Sequence, residues 1–181
     1  ILAHALSSIT DAKGRIQIPE WRPPFPMSIK KVLSKIKLKS PNKGPIIDNF
    51  WGEPGLTPSE RVFGWNSFEV LAFITGNPDE PVNTIPPEAH ANCQLRYVVG
   101  TKENDIIPAL RRHLDKNGFS MVSIEDSKRG DLGASRLDPN DPWVKWCETS
   151  LCQTTKKSIS LLPNLGGSLP NDIFSVEMGL R

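Results

Sequence analysis

The sequence VNTIPPEAHANCQLRYVV, residues 82–99 of this 181-residue chain, combines a proline turn with the pattern of a strand. Its first half contains two consecutive prolines, which remove backbone donors and push Ile85 into an extended conformation that no helix tolerates. Its second half alternates between two sets of side chains, namely Ala91, Cys93, Leu95, Tyr97 and Val99 in one set and Asn92, Gln94 and Arg96 in the other. A period of two is typical of a half-buried antiparallel strand. We therefore expect the first set to face the core and the second to face an open side.

The open face of this predicted strand carries two amides and a guanidinium, and Asn83 stands at the turn before it. The planar fork of an arginine binds a carboxylate through two parallel hydrogen bonds, so Arg96 beside amide groups is suited to holding an anion. The same residues would also serve simply as the polar side of an open sheet. Spacing alone does not choose between these two interpretations.

The elements on either side predict an α+β fold. Residues 68–74 are predicted to form a strand, and 105–118 a helix that ends at a glycine. A third strand is expected over 119–124, and earlier helices over 1–8 and 28–36. Strands and helices in this order indicate an antiparallel sheet with helices packed on one face.

A charged, glycine-containing stretch at 127–140 indicates a domain boundary. Asp141-Pro142 then predicts a helix start, because aspartate caps the first turn and proline suits its first position. A short buried strand at 158–162 and a glycine turn leading into a last helix follow. We therefore predict two units, 1–126 and 138–181. The buried side of the helix after Pro142 is predicted to comprise Trp143, Trp146, Cys147, Ser150 and Leu151.

The balance of 22 basic and 20 acidic side chains gives a net charge of +2, which says little about partners. The basic excess is local: it lies between Met27 and Pro45, a stretch without acidic residues that includes the helix predicted to begin at a cap, Ser28. Such a basic amphipathic helix could contact nucleic acid or an anionic membrane, but it is more commonly a solvated helix packed across a domain. The lysines are Lys30, Lys31, Lys35, Lys37, Lys39 and Lys43.

Three cysteines without C-x-x-C spacing indicate neither a disulfide framework nor a zinc knuckle. No apolar run approaches the roughly 20 residues of a membrane span. We expect a cytoplasmic protein that binds neither a membrane nor nucleic acid. The chain begins with Ile1 and ends with Arg181, directly after an apolar segment, so we expect both ends to lie inside a longer protein.

Two motifs in this order carry a resemblance to a known family. The first is Asn83-x-Ile85-Pro86 followed thirteen residues after the asparagine by Arg96, and the second is LPNLGGSLPND at 162–172. Together they resemble the zinc-dependent family that contains aminoacylase, acetylornithine deacetylase, succinyl-diaminopimelate desuccinylase, glutamate carboxypeptidase and carnosinase. Residues 8–15 and 52–57 are similar to its dipeptidase branch.

This resemblance implies a ferredoxin-like lid, or dimerisation, domain over 1–126, truncated at its N-terminus, and the returning helix–strand–helix piece of an α/β catalytic domain over 138–181. It implies a homodimer formed through the lid, two zinc ions in the parent enzyme, and a peptide or N-acyl amino acid as substrate. The implied substrate-binding residues are Asn83, which helps to hold the substrate, Arg96, which pairs with its terminal carboxylate, and Gly166, Gly167 and Ser168, which belong to the cleft loop.

The chain also departs from the family. His4, His90 and His113 are isolated, and the family's metal ligands would lie outside residues 1–181. We therefore expect no metal bound by this segment, no activity from it alone, and a truncated sheet that a partner chain completes. Two alternatives stay open. One is a non-enzymatic dimerising module whose basic segment contacts an acidic partner or RNA, and the other is a lid-bearing homologue without metals.

Overall fold

The computed structural model describes residues 1–38, 46–126, 132–167 and 169–180. Its two strands are β1 (Ser67–Thr75) and β2 (Ala89–Arg96). Its α-helices are α1 (Leu2–Ile9), α2 (Met27–Leu33), α3 (Pro58–Gly64), α4 (Ile106–Lys116) and α5 (Pro142–Thr155). Shorter helical turns lie at Pro19–Trp21, Glu103–Asp105 and, with π-helical geometry, Ile173–Glu177.

The two strands pair antiparallel, with Ser67 opposite Arg96 at one end and Thr75 opposite Ala89 at the other. The register shifts at Leu71, an extra residue that forms a bulge in β1. Strands and helices in this arrangement confirm the predicted α+β class with an antiparallel sheet.

One face of the hairpin packs on helices, as predicted. Phe68 and Leu95 lie directly opposite each other and contact the buried core. Both α1 and α4 contribute to that core, so the helices cover this face and leave the other face open. The core residues are Ile9, Ile16, Ile18, Trp21 and Ala109.

Strand β2 is shorter than predicted, because it ends at Arg96 rather than at 99. Beyond it, Val98 is buried, and the Tyr97 hydroxyl donates to the carbonyl of Leu132. The prediction that Tyr97 continues the core face is therefore wrong, since the alternation stops where the strand pairing stops. Cys93, also predicted on the core face, is exposed.

The third strand predicted at 119–124 does not form. This segment turns back on the end of α4, where the Leu114 carbonyl accepts from the Phe119 N–H. The Arg111 guanidinium donates to the carbonyls of Phe119 and Val122. Those carbonyls are therefore satisfied by a side chain rather than by a neighbouring strand, which is why a short apolar run does not become a strand here.

Helix α5 begins as predicted, because the Asp141 carboxylate accepts from the Trp143 N–H at 2.8 Å. Its predicted buried side is wrong: Trp143 and Trp146 stack on each other with ring centroids 4.8 Å apart, and both rings are about half exposed. No other element of the described residues covers them. The strand predicted at 158–162 is also absent, since that segment is irregular and has no partner strand.

Helix α3 was not predicted, although its start carries a clear signal. Thr57 and Glu60 form a reciprocal capping box around Pro58 at the first helical position. Helix α2 begins one residue before the predicted cap, and Ser28 makes no capping bond there. Its apolar residues Ile29 and Leu33 are buried, so the basic helix has its apolar face packed inside the domain.

The Asn66 side chain links three segments that are distant in sequence. Its amide donates to the carbonyl of Trp21 at 2.7 Å and to the Thr101 hydroxyl at 2.9 Å, and its oxygen accepts from the Val98 N–H at 2.8 Å. Asn66 is only 4% exposed, so water cannot replace these bonds. The residue thereby fixes where the chain leaves β2.

We expect Asn66→Ala to lower the free energy of unfolding by about 1–3 kcal/mol, because it leaves the buried Val98 N–H and Trp21 carbonyl unpaired. Denaturant unfolding followed by circular dichroism measures this loss. Asn92→Ala is the matched control, since Asn92 is exposed in β2 and should change stability by less than about 0.5 kcal/mol. Equal losses of unfolding free energy in the two variants would contradict the structural role given to the hydrogen bonds of Asn66.

Candidate functional site

The structure joins the two motifs that the sequence separates by 70 residues. The Arg96 guanidinium, at the end of β2, donates to the carbonyl of Gly166 at 2.6 Å. A second hydrogen bond fixes the same loop, since the Asn164 amide donates to the carbonyl of Phe63 in α3. The loop that contains Gly166 therefore lies against the β1–β2 hairpin on the side where Arg96 projects.

Arg96 and Gly166 border a cavity of about 410 Å³ on the open face of the hairpin. This face also presents Ser67, opposite Arg96, and the next pair on the same face, Glu69 and Gln94. The charged residues lining the cavity are Glu53, Arg61, Glu69 and Arg96, and its larger apolar ones include Trp51, Trp65 and Leu71.

One wall of the cavity is a loop docked on the turn at 11–15. The Gly52 N–H donates to the carbonyl of Lys13, and the Trp51 ring covers Gly14. The position requires glycine for two reasons. Gly14 has φ +74°, which other residues rarely adopt, and a Cβ there would lie 2.4 Å from the Trp51 ring. Asp11 stabilises the turn at 11–15, since its carboxylate accepts hydrogen bonds from the N–H groups of Arg15 and Lys13. These bonds lower the pKa of Asp11.

Two of the four charged lining residues are engaged within this wall. The Glu53 carboxylate is 9% exposed and pairs with Arg22 and, at 3.5 Å, with Arg15. The Arg61 guanidinium donates to the carbonyls of Glu53 and Asn49 at 3.0 and 2.8 Å. These groups serve to hold the loop at 48–55 in place.

Asn83 is not brought into this cavity. It lies in the exposed connection between the strands, beyond the end where Thr75 faces Ala89, whereas Arg96 lies at the opposite end. Eight residues of strand are roughly 25 Å long, so the two predicted substrate-binding residues stand at opposite ends of one hairpin. Asn83 and Arg96 of the same chain therefore do not share this site.

The other predicted glycine-loop residues differ in their placement. Gly167 lines a second, larger cavity of about 1100 Å³ beside Tyr97, Asn164 and the segment at 132–137. A Cβ at Gly166 would meet the Val62 side chain at an ordinary 3.7 Å, and one at Gly167 would meet nothing within 4 Å. Packing within the described residues therefore does not demand glycine at either position. Ser168 lies outside the described residues.

Sequence reasoning missed Glu69, Arg61 and Trp51 as cavity residues. The strand at 68–74 was predicted without an assignment of its faces, although polar residues alternate at its start, at Ser67 and Glu69. Gln94 and Arg96 alternate in the same way in β2. Two polar alternations of this kind in paired strands indicate a polar face that both strands share. Nothing local in the sequence places Trp51 or Arg61 at that face, because their docking depends on long-range contacts.

The described residues contain no group of three or more histidine, cysteine, aspartate or glutamate side chains that would hold a metal ion. His4 lies on α1, His90 on β2 and His113 on α4. His113 Nε2 lies 3.0 Å from the carbonyl of Ser8, a contact that joins α4 to α1. A catalytic zinc site does not fit these residues, since it needs several converging ligands. Within the same residues, no helix is both long and apolar enough for a bilayer.

Comparisons with known proteins bear on the fold. No protein-family model matches the sequence, and no curated protein matches it. A solved structure of similar fold is that of the M20 family metallo-carboxypeptidase Sso-CP2 from Sulfolobus solfataricus, with a TM-score of 0.72 and 19% sequence identity. The similarity covers 99% of this chain and 42% of that chain, so this chain spans less than half of that protein's length. The chain thus has the fold of a segment of an M20 family metallo-carboxypeptidase.

Proposed function

We propose that this chain is part of an M20-type zinc hydrolase that cleaves the amide next to a terminal amino acid, as a dipeptidase or N-acyl-amino-acid hydrolase does. Its own contribution is to bind the free carboxylate of the substrate through Arg96. The observation that carries the proposal is the contact between Arg96 and Gly166 at the edge of a cavity.

Arg96 has capacity for such a ligand. A guanidinium carries five N–H donors in a fixed fork, and the Gly166 carbonyl engages one nitrogen of it. Among the ion pairs of the described residues, none involves Arg96. A positive charge without a matching carboxylate, held beside a cavity of this size, fits an anionic group of a small ligand.

Zinc belongs to this proposal for the whole protein and not for the described residues, which hold no suitable ligands. A terminal carboxylate anchored on Arg96 would fix one end of the substrate, while the glycine loop would approach its backbone closely. Anchoring of this kind orients a scissile bond and accounts for specificity toward substrates that end in a free carboxylate.

We also propose that two copies of the chain associate through the hairpin β1–β2. Each strand pairs on one edge only within the described residues, and an unpaired edge is a template for association. The hairpin also exposes several apolar side chains, among them Val70, Phe73 and Ile74. A second copy would explain how Asn83 reaches a substrate, since it cannot approach the Arg96 of its own chain.

The first test is turnover by the full-length protein that carries this chain. We expect hydrolysis of at least one member of a panel of dipeptides and N-acetyl amino acids, loss of it after chelation, and its return with zinc. Amino acid release measured by ninhydrin or mass spectrometry follows the reaction. No turnover of any substrate in the panel, together with no bound zinc, would refute the proposed hydrolase activity. A dimerising scaffold would then be the better description.

The second test addresses Arg96. We expect Arg96→Ala to lower kcat/KM about 10- to 100-fold through a higher KM, because a charge-assisted hydrogen bond is lost. The same substitution should have little effect on an analogue whose terminal carboxylate is an amide. Arg112→Ala is the control, since Arg112 is exposed on α4 and lies outside the cavity. An equal loss on acid and amide substrates would count against carboxylate binding.

The third test is the oligomeric state. We expect the protein to sediment as a dimer and Ile74→Asp to shift it toward the monomer, because a charge then enters an apolar interface. Ile46→Asp is the matched control, since Ile46 is 88% exposed and lies outside the hairpin. A monomeric wild-type protein, or dimers that both variants disrupt alike, would contradict the hairpin interface.

A further inference from the structure

The cavity beside Arg96 contains a second charged group that carboxylate binding does not use. Glu69 lies on β1, on the same face as Arg96 and one pair further along the hairpin, opposite Gln94. Its side chain lines the cavity and is exposed. Diagonal neighbours of this kind have Cα atoms about 7–8 Å apart.

The charges of the cavity divide into two pairs. Glu53 and Arg61 are engaged by Arg22, Arg15 and backbone carbonyls in the wall, as described above. Glu69 takes part in none of the ion pairs found among the described residues, and neither does Arg96. The cavity therefore offers one negative and one positive group that have no charged partner from the described residues.

We infer that Glu69 binds a cationic side chain on the terminal residue of the substrate, so that the site prefers substrates ending in lysine or arginine. The inference rests on the proposed function, in which Arg96 binds the carboxylate of that same residue. A terminal basic amino acid carries both charges that the cavity requires, its carboxylate for Arg96 and its ammonium or guanidinium for Glu69.

The remaining lining suits the stem of such a side chain. Lysine and arginine bury their methylene groups along apolar surface while the charged head stays in a polar setting. Leu71, displaced by the bulge, lines the cavity beside Glu69, and Trp51 presents a half-exposed aromatic ring. A cation near an indole face gains a further attraction. A carboxylate-ended side chain would instead face the repulsion of Glu69.

The test uses the zinc-loaded full-length protein and a pair of substrates that differ in one charge. Ala-Lys and Ala-norleucine, or their N-acetyl amino acid counterparts, share nearly the same stem. We expect kcat/KM for the lysine substrate to exceed that for norleucine about tenfold. Glu69→Gln should reduce this ratio to about one by lowering the lysine value and leaving the norleucine value within twofold. Glu148→Gln, on the exposed face of α5, is the control and should keep the wild-type ratio.

Binding of free lysine and norleucine, measured by calorimetry, tests Glu69 independently of turnover. A lysine preference that Glu69→Gln abolishes supports the inference even if no substrate is hydrolysed, in which case the proposed reaction alone fails. An equal loss of kcat/KM on the lysine and norleucine substrates in Glu69→Gln would mean that Glu69 positions Arg96 and does not bind the cation. That result would overturn the inference. Turnover or binding with no preference for lysine would overturn it as well.

Discussion

The side chain of Asn66 is the constraint on which the arrangement of the site depends. One buried amide engages the backbone of Trp21, the hydroxyl of Thr101 and the backbone of Val98. It therefore ties the start of β1 to the end of β2 and both to the core, where the Trp21 indole donates to the carbonyl of Ile106 in α4. A buried amide without hydrogen-bond partners is costly. The three bonds therefore fix the path of the chain that follows β2.

That path determines what Arg96 can contact. Ending the strand at Arg96 turns Val98 inward and directs the Tyr97 hydroxyl to the carbonyl of Leu132. Arg96 then projects from the open face toward the loop that contains Gly166. The guanidinium thus lies where the hairpin meets the C-terminal segment. In the proposed function, a carboxylate bound there would contact both parts of the chain.

Much of this arrangement was predictable from local patterns. The strand at 68–74, the helix starting near Asp105 and the cap at Asp141 follow from periodicity and capping chemistry, which act over a few residues. The resemblance implied that Arg96 and the glycine loop both bind the substrate, and the hydrogen bond from Arg96 to Gly166 places these two motifs side by side. The functional roles of Arg96 and Gly166 remain a prediction.

Other features depend on contacts between distant residues and have no local signal. The apolar run at 119–124 satisfies its carbonyls with Arg111 instead of with a strand. The tryptophans of α5 follow a helical spacing that indicates a buried side, yet burial requires a covering element, and none of the described residues supplies one. Trp51 docks on Gly14 only because the 11–15 turn and the 48–55 loop meet in the folded chain.

The separation of Asn83 from Arg96 within one chain bears on the proposed association of two copies. An antiparallel hairpin is stiff along its strands, so no small loop movement moves a residue from one end of it to the other. If both residues contact one substrate, the Asn83 of one copy must act beside the Arg96 of another. Association would then be part of substrate binding itself. The exposed apolar side chains of the hairpin and its unpaired strand edges would in that case serve the site as well as the interface.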